Sequence, residues 1–233
     1  MAAPSAVTVA VVVVGHVLTA ALCIRAMSPP ALPASPYARD RISCLAGGIG
    51  RPERRAVFVV VWAWHGLVSL TQPATPALLC PRASQVSPWV MGGSAFSAAC
   101  LALLVAGSVL RLRTYAALGT DFTFLLAQPR TLVTDGVYHY VRHPSYTGLF
   151  VLSVVNVVYL LNRHAVLACW LPLSWVRGGG PAVDVLWAAA VAGLVGWTIA
   201  IRVRDEEEMM GRTFGATWEA YAKRTKRYVP LLF

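Results

Sequence analysis

The sequence predicts an all-α, polytopic membrane protein that forms a single domain. Of its 233 residues, 57% are hydrophobic and 13% are charged, whereas soluble domains carry about 25% charged residues. Long apolar runs recur along the chain, and a transmembrane helix needs about 20 mainly apolar residues. Lys and Arg are also distributed unevenly between the segments that connect these runs. This composition excludes a soluble enzyme and a disordered chain.

Five apolar runs are interpreted as membrane spans, although the second and the fourth are short for a span. They lie at about 6–27, 56–71, 89–110, 146–161 and 182–201. The first run lacks the basic region of a signal peptide and is longer than its apolar core, so we expect it to be retained. Residues 163–181 are apolar but interrupted by Pro172 and by a Gly-Gly-Gly-Pro sequence. We predict a lumenal loop there that dips into the interface, with Trp170 and Trp175 as anchors.

The distribution of basic residues predicts the orientation of the chain. With five spans, 17 of the 20 Lys and Arg residues fall on one side of the membrane. The positive-inside rule then makes the N-terminus lumenal and the C-terminus cytosolic. The polar connector 111–145 and the tail 202–233 therefore share the cytosolic side and can meet. A sixth crossing within 163–181 would separate them.

The net charge of +10 is best explained by basic loops that face anionic lipid headgroups. We expect no nucleic-acid partner, because no basic stretch carries a recognition motif or stacking aromatic residues. The five cysteines form no Cys-x-x-Cys pair, and three of them lie in apolar runs. We therefore expect small buried side chains rather than a disulfide framework or a metal site.

The chemically informative residues lie in the connector and the tail. Pro144 fits the first turn of the fourth span and places His143 near a helix N-terminus, where free N–H groups can hold a polar or anionic group. Arg202 and Glu206 are four residues apart and so share one helix face. The guanidinium can hold a carboxylate or phosphate, and the carboxylate can hold an ammonium group. Taken singly, each residue also fits a structural role, such as a surface ion pair worth less than about 1 kcal/mol.

The order of the motifs resembles the isoprenylcysteine carboxyl methyltransferase family. Leu-Val-Thr-Asp-Gly-Val-Tyr at 132–138 is followed by Arg-His-Pro-Ser-Tyr-Thr-Gly at 142–148 and by Arg-x-x-x-Glu-Glu at 202–207, and the tail carries Phe-Gly, Tyr and Pro. The resemblance covers about 118–233. It implies an integral membrane enzyme, typically of the endoplasmic reticulum. Such an enzyme uses S-adenosylmethionine to methylate the C-terminal prenylcysteine of processed CaaX proteins, which makes prenylated CaaX-type proteins and the lipid bilayer its partners.

The resemblance also implies the roles of individual residues. Arg202 matches the arginine beside the substrate carboxylate, so it is the expected catalytic and substrate-binding residue. The expected cofactor contacts are Gln128, Thr131, Leu132, Val133, Tyr138, His143, Pro144, Ser145, Tyr146 and Glu206. The chain departs from the family where Arg130 replaces a histidine, where Trp218 replaces a tyrosine, and where 163–181 lengthens the segment between the motifs relative to the animal and yeast enzymes.

Two other functions remain open at this stage. Related membrane methyltransferases, including phospholipid N-methyltransferases, share the Arg-His-Pro pattern, so the acceptor could be a phospholipid or another small lipophilic molecule. An amine acceptor would need a base or a pocket that tolerates a cation, and Arg202 argues against it. A C-terminal carboxyl has a pKa of about 3.5 and needs no base at neutral pH. The third hypothesis is a non-catalytic membrane scaffold, which would not bind S-adenosylmethionine.

Overall fold

The computed structural model describes residues 6–28, 52–72, 74–119, 122 and 126–228. Within these ranges the chain forms α-helices, short 3-10 turns and one isolated bridge, so the predicted all-α class is confirmed. The helices are α1 (Ala6–Met27), α2 (Pro52–Thr71), α3 (Ala95–Leu118), α4 (Pro144–Leu160), α5 (Leu173–Arg177), α6 (Gly180–Phe214) and α7 (Ala216–Arg224).

Three segments of the described chain are long and apolar enough to cross a membrane, namely Val9–Met27, Pro88–Leu118 and Gly180–Phe214. These segments confirm the predicted membrane class. Helix α4 is apolar but has only 17 residues, and α2 begins with the charged residues Glu53, Arg54 and Arg55. The total of five spans therefore stays a prediction.

Helix ends differ from the predicted span limits for local reasons. Helix α3 begins at Ala95 rather than at 89, because the Ser94 side chain accepts a hydrogen bond from the backbone N–H of Ser97 and caps the helix. Helix α6 continues past the predicted end at 201 through the charged segment to Phe214. It stops at Gly215, whose φ of +52° lies in the left-handed region that favours glycine. The charged motif of the tail is therefore helical.

Helices α3 and α4 pack closely against each other at two glycines. A Cβ atom built on Gly148 would lie 2.9 Å from the carbonyl oxygen of Gly107 and 3.2 Å from the Cβ of Arg111. The two backbones can approach this closely only because neither glycine has a side chain. Leu104 and Leu152 are fully buried beside this contact. The pair fixes the start of α4 against the end of α3, where the functional motifs lie.

A disulfide joins the two loops at the opposite end of the bundle. Cys80 lies after α2 and Cys169 lies between α4 and α5, and their sulfur atoms are bonded. The expectation that these two cysteines are unpaired is wrong, because a sequence separation of 89 residues gives no local pairing signal. Cys23 and Cys100 are free and buried, as predicted. Cys44 lies outside the described residues.

Polar contacts join the same two loops to each other and join the second loop to the start of α6. The Arg82 guanidinium donates to the carbonyl oxygens of Trp170 and Leu171 at 2.7 and 3.0 Å. Arg163 donates to both carboxylate oxygens of Asp184 at 2.7 and 3.1 Å. We call residues 74–94 and 161–179 the loop cap. It closes the end of the bundle that is farthest from the sequence motifs.

Candidate active site

A cleft lies where the C-terminal end of α3, the start of α4, the C-terminal third of α6 and α7 come together. Eight of the residues predicted from sequence line this cleft. They are Thr131, Leu132, Val133, Tyr138, His143, Tyr146, Arg202 and Glu206. The connector and the tail therefore meet, as their predicted placement on one side of the membrane requires. Gln128, Pro144 and Ser145 do not line the cleft.

Tyr146 lies between the two charged residues of the tail motif. Its phenol donates a hydrogen bond to Glu206 Oε2 at 2.7 Å, because a carboxylate can only accept. The same phenol oxygen accepts a hydrogen bond from Arg202 Nε at 3.3 Å. Arg202 is only 5% exposed. One phenol of α4 therefore orients both the guanidinium and the carboxylate presented by α6.

Two further tyrosines, Tyr138 and Tyr221, also line the cleft. Tyr138 lies on the 3-10 turn Gly136–His139, and its carbonyl oxygen accepts a hydrogen bond from the Tyr221 hydroxyl at 2.7 Å. Burial and the nearby negative charge of Glu206 raise the pKa of Tyr138. Burial also raises the pKa of Tyr221 to about 12. Both phenols are therefore neutral at physiological pH and can act as hydrogen-bond donors.

His143 occupies the position just before α4, and Pro144 is the first residue of that helix, as the sequence predicts. The imidazole Nε2 lies 3.2 Å from Glu207 Oε1, and Nδ1 lies 3.7 Å from Glu206 Oε1. Because the Glu207 carboxylate only accepts, Nε2 must carry a proton. Nδ1 is then the ring nitrogen turned toward the Glu206 side of the cleft.

Ser145 serves the helix contact rather than the cleft surface. Its hydroxyl and carbonyl oxygens accept hydrogen bonds from Arg111 Nη1 at 2.9 and 3.1 Å. Arg111 Nε also donates to the carbonyl oxygen of Ala26 at the end of α1, at 2.6 Å. This buried arginine therefore joins three helices below the cleft. In the sequence it counts only as one of the four basic residues of the connector 111–145, and nothing in its local sequence distinguishes it from Arg113.

Apolar side chains also line the cleft. They come from the end of α3, the connector, α6 and α7: Leu118, Phe122, Leu126, Met209, Met210 and Trp218. Sequence reasoning did not assign the two methionines, because they follow the acidic run without a motif of their own. The lining of the cleft thus combines Arg, Glu, His and Tyr groups with aliphatic and aromatic groups. It can offer polar contacts to a charged group and apolar contacts to a flat ring.

No group of three or more His, Cys, Asp or Glu side chains in the described part of the chain could hold a metal ion. The donor set of the cleft also differs from that of a metal site, because Glu206 is the one carboxylate among its described lining residues and already accepts a hydrogen bond from Tyr146.

Comparison with known proteins gives a consistent result. A family model described as "Isoprenylcysteine carboxyl methyltransferase (ICMT) family" matches residues 100–177. A protein-S-isoprenylcysteine O-methyltransferase A of Arabidopsis thaliana is 30% identical over 170 residues, which cover 71% of this chain and 72% of that relative.

Two further relatives carry the same enzyme name. The protein-S-isoprenylcysteine O-methyltransferase of Dictyostelium discoideum is 30% identical over 132 residues, or 54% of this chain and 46% of that protein. The Schizosaccharomyces pombe enzyme is 29% identical over 143 residues, or 60% of this chain and 51% of that protein. The match thus spans about half the length of these two relatives.

Proposed function

This chain belongs to the isoprenylcysteine carboxyl methyltransferase family, and on that premise we propose that it methylates the C-terminal carboxylate of a prenylated cysteine. The proposed methyl donor is S-adenosylmethionine, and the proposed substrates are prenylated CaaX-type proteins. The observation that carries the proposal is the pair of Arg202 and Glu206 held together by the Tyr146 phenol in a cleft lined by both polar and apolar side chains.

The residues present fit S-adenosylmethionine by their chemistry. Glu206 offers a carboxylate for a cationic group, and His143 and Tyr138 offer polar contacts beside it. Leu132, Met209 and the other apolar side chains offer a surface for a flat heterocycle. When bound, this cofactor supplies a methyl group activated by a sulfonium.

Arg202 has the role of orienting the acceptor. Its buried guanidinium can hold the substrate carboxylate, while Tyr146 fixes the direction in which it points. A carboxylate oxygen forms the new bond to the methyl carbon as the carbon–sulfur bond breaks, and the electron pair of that bond stays on sulfur. No proton moves, so no general base is needed. Catalysis then depends on positioning and on the exclusion of water.

We also propose a multi-pass location in the endoplasmic reticulum membrane, with a lumenal N-terminus and a cytosolic C-terminus. The disulfide between Cys80 and Cys169 supports this orientation. It joins the two loops that the distribution of basic residues places in the lumen, and disulfides persist in that oxidising compartment. The cleft at the other end of the bundle then faces the cytosol, and the prenyl chain approaches from the bilayer.

The test is methyl transfer from labelled S-adenosylmethionine to N-acetyl-S-farnesylcysteine in membranes that contain this chain. We expect base-labile methyl ester with the wild type and a loss of about a hundredfold or more with Arg202→Ala, because a transition-state contact is removed. Arg204→Ala is the matched control, since Arg204 is exposed on the same helix and does not line the cleft. It should retain activity.

Other outcomes would contradict specific parts of the proposal. Label that appears on phosphatidylethanolamine instead of the farnesylcysteine would show a lipid acceptor. Cofactor binding without methyl transfer would retain the donor and reject the acceptor. Folded protein that does not bind S-adenosylmethionine would reject the enzymatic proposal.

A further inference from the structure

The last described residues of the chain lie directly against the His143 turn. We call residues 225–228 the C-terminal strap. The backbone N–H of Arg142 donates to the carbonyl oxygen of Lys226 at 2.8 Å, and that of His143 donates to Arg227 at 2.9 Å. The Thr147 hydroxyl donates to the carbonyl oxygen of Tyr228 at 2.8 Å. The strap therefore satisfies backbone groups just before α4 that the helix itself leaves open.

Glu207 links the strap to the same turn through side chains. Its Oε1 accepts from Arg142 Nε at 3.2 Å and from His143 Nε2 at 3.2 Å. Arg227 of the strap donates to Oε1 at 3.2 Å and to Oε2 at 2.7 Å. This carboxylate is therefore the junction between α6, the His143 turn and the strap.

Neither Glu207 nor Arg227 lines the cleft, whereas Arg142 and His143 do. Any effect of Glu207 on a bound molecule therefore passes through the residues that it holds. The most direct route is His143, because the contact with Glu207 fixes which ring nitrogen is protonated and which one faces Glu206.

We propose that Glu207 and Arg227 are positioning residues that clamp the C-terminal strap onto the His143 turn and so preorganise the cofactor side of the cleft. The expected effect of the clamp on enzyme kinetics rests on the proposed function, whereas its expected effect on the backbone of the His143 turn does not. The hydrogen bond to Glu207 raises the pKa of Arg227, so the clamp is charged at every physiological pH. Arg227 has a natural control in Lys226, which is an adjacent, exposed basic residue whose side chain forms no hydrogen bond or ion pair among the described residues.

The first experiment measures amide hydrogen exchange in the full-length chain in detergent or nanodiscs. It follows peptides that contain the backbone amides of Arg142 and His143. Arg227→Ala should accelerate their exchange, because the strap then loses its side-chain anchor, whereas Lys226→Ala should leave their exchange unchanged. Equal exchange in the two variants would overturn the clamp, and this readout does not require any enzymatic activity.

The second experiment separates KM from kcat for S-adenosylmethionine. Arg227→Ala should raise KM about fivefold with a smaller change in kcat, as expected for a half-exposed charged pair. Arg227→Lys should recover most of the loss, since a lysine can still donate to Glu207. In the Glu207→Gln background, Arg227→Ala should change log KM by less than about half as much as it does in the wild type. The effect of Lys226→Ala on log KM should be the same in both backgrounds.

The outcomes distinguish the two proposals. If the wild type forms no prenylcysteine ester but the exchange difference between the two variants is found, the proposed function fails and the clamp stands. If the ester forms but the Arg227 and Lys226 variants behave alike in both experiments, the function stands and the clamp is wrong.

Discussion

At the scale of single residues, Tyr146 is the group on which the candidate site depends most. Arg202 and Glu206 could be placed on one helix face from their spacing alone. Their connection through a phenol from another helix could not be predicted, because it depends on how α4 and α6 pack. The phenol hydroxyl donates a hydrogen bond to Glu206 and accepts one from Arg202. One hydroxyl group therefore connects the proposed cofactor-binding residue with the proposed substrate-binding residue.

We expect Tyr146→Phe to lower kcat/KM for methyl transfer by about tenfold, because Glu206 loses a donor and Arg202 loses an acceptor. The ring would remain, so the packing of α4 should be preserved. Steady-state kinetics with N-acetyl-S-farnesylcysteine measure this loss. Tyr140→Phe is the control, since Tyr140 is exposed and does not line the cleft. Equal values of kcat/KM for the two variants would show that the Tyr146 hydroxyl does not contribute to the site.

Arg111 acts at the same scale on stability. Its guanidinium donates to the carbonyl oxygens of Ala26 and Ser145, and replacement by an apolar residue leaves these groups without that donor. We expect Arg111→Leu to lower the free energy of unfolding by about 3 kcal/mol. Thermal unfolding in detergent, compared with the exposed Arg113→Leu, measures the difference. A melting temperature equal to that of the control would contradict the role of Arg111.

At the scale of secondary-structure elements, the sequence predicted which segments are helical better than where each helix ends. Apolar content fixes the existence of α1, α3 and α6. The end of α6 depends instead on charged residues that continue the helix beyond the apolar run, and span length alone cannot locate it. The start of α3 depends on the Ser94 cap. The pairing of α3 with α4 depends on two glycines whose contact becomes visible only in three dimensions.

The close contact between α3 and α4 gives a prediction at this scale. Gly148→Ala should destabilise the protein by about 2 kcal/mol, because the new methyl group would meet backbone atoms that cannot easily move. Gly193→Ala on α6 is the matched control, since no atom lies within 4 Å of its added Cβ. Melting temperatures of the two variants provide the comparison. A Gly148→Ala protein as stable as the control would show that the helices can separate without cost.

At the scale of the whole molecule, the two ends of the bundle differ in chemistry. One end carries the loop cap with its disulfide, and the other carries the cleft with the Arg, Glu and His groups. The distribution of basic residues predicted that the loops of the cap and the segments of the cleft lie at opposite ends of the bundle. It could not predict the disulfide, because Cys80 and Cys169 lie in loops whose proximity depends on the complete arrangement of helices.

The orientation of these two ends can be measured with a membrane-impermeant maleimide. In a Cys44→Ser background that retains the disulfide, Leu78→Cys introduces a thiol at an exposed position of the loop cap. In sealed vesicles derived from the endoplasmic reticulum with the cytosolic face outward, we expect labelling of the Leu78→Cys variant only after permeabilisation. Lys226→Cys, introduced into the same background, should react in sealed vesicles. Labelling of the Leu78→Cys variant in sealed vesicles would reverse the proposed orientation.

The proposed site is built from two segments of the chain. Between them the chain runs to the opposite end of the bundle and back. His143 and Tyr146 lie at the start of α4, whereas Glu206 and Glu207 follow the apolar part of α6, and the loop cap lies between them in the chain. During biosynthesis, a chain that inserted α6 in the wrong direction would place its acidic motif across the bilayer from His143. Catalytic competence would then require correct insertion of both helices. Misinserted copies would stay inactive without any separate quality-control step.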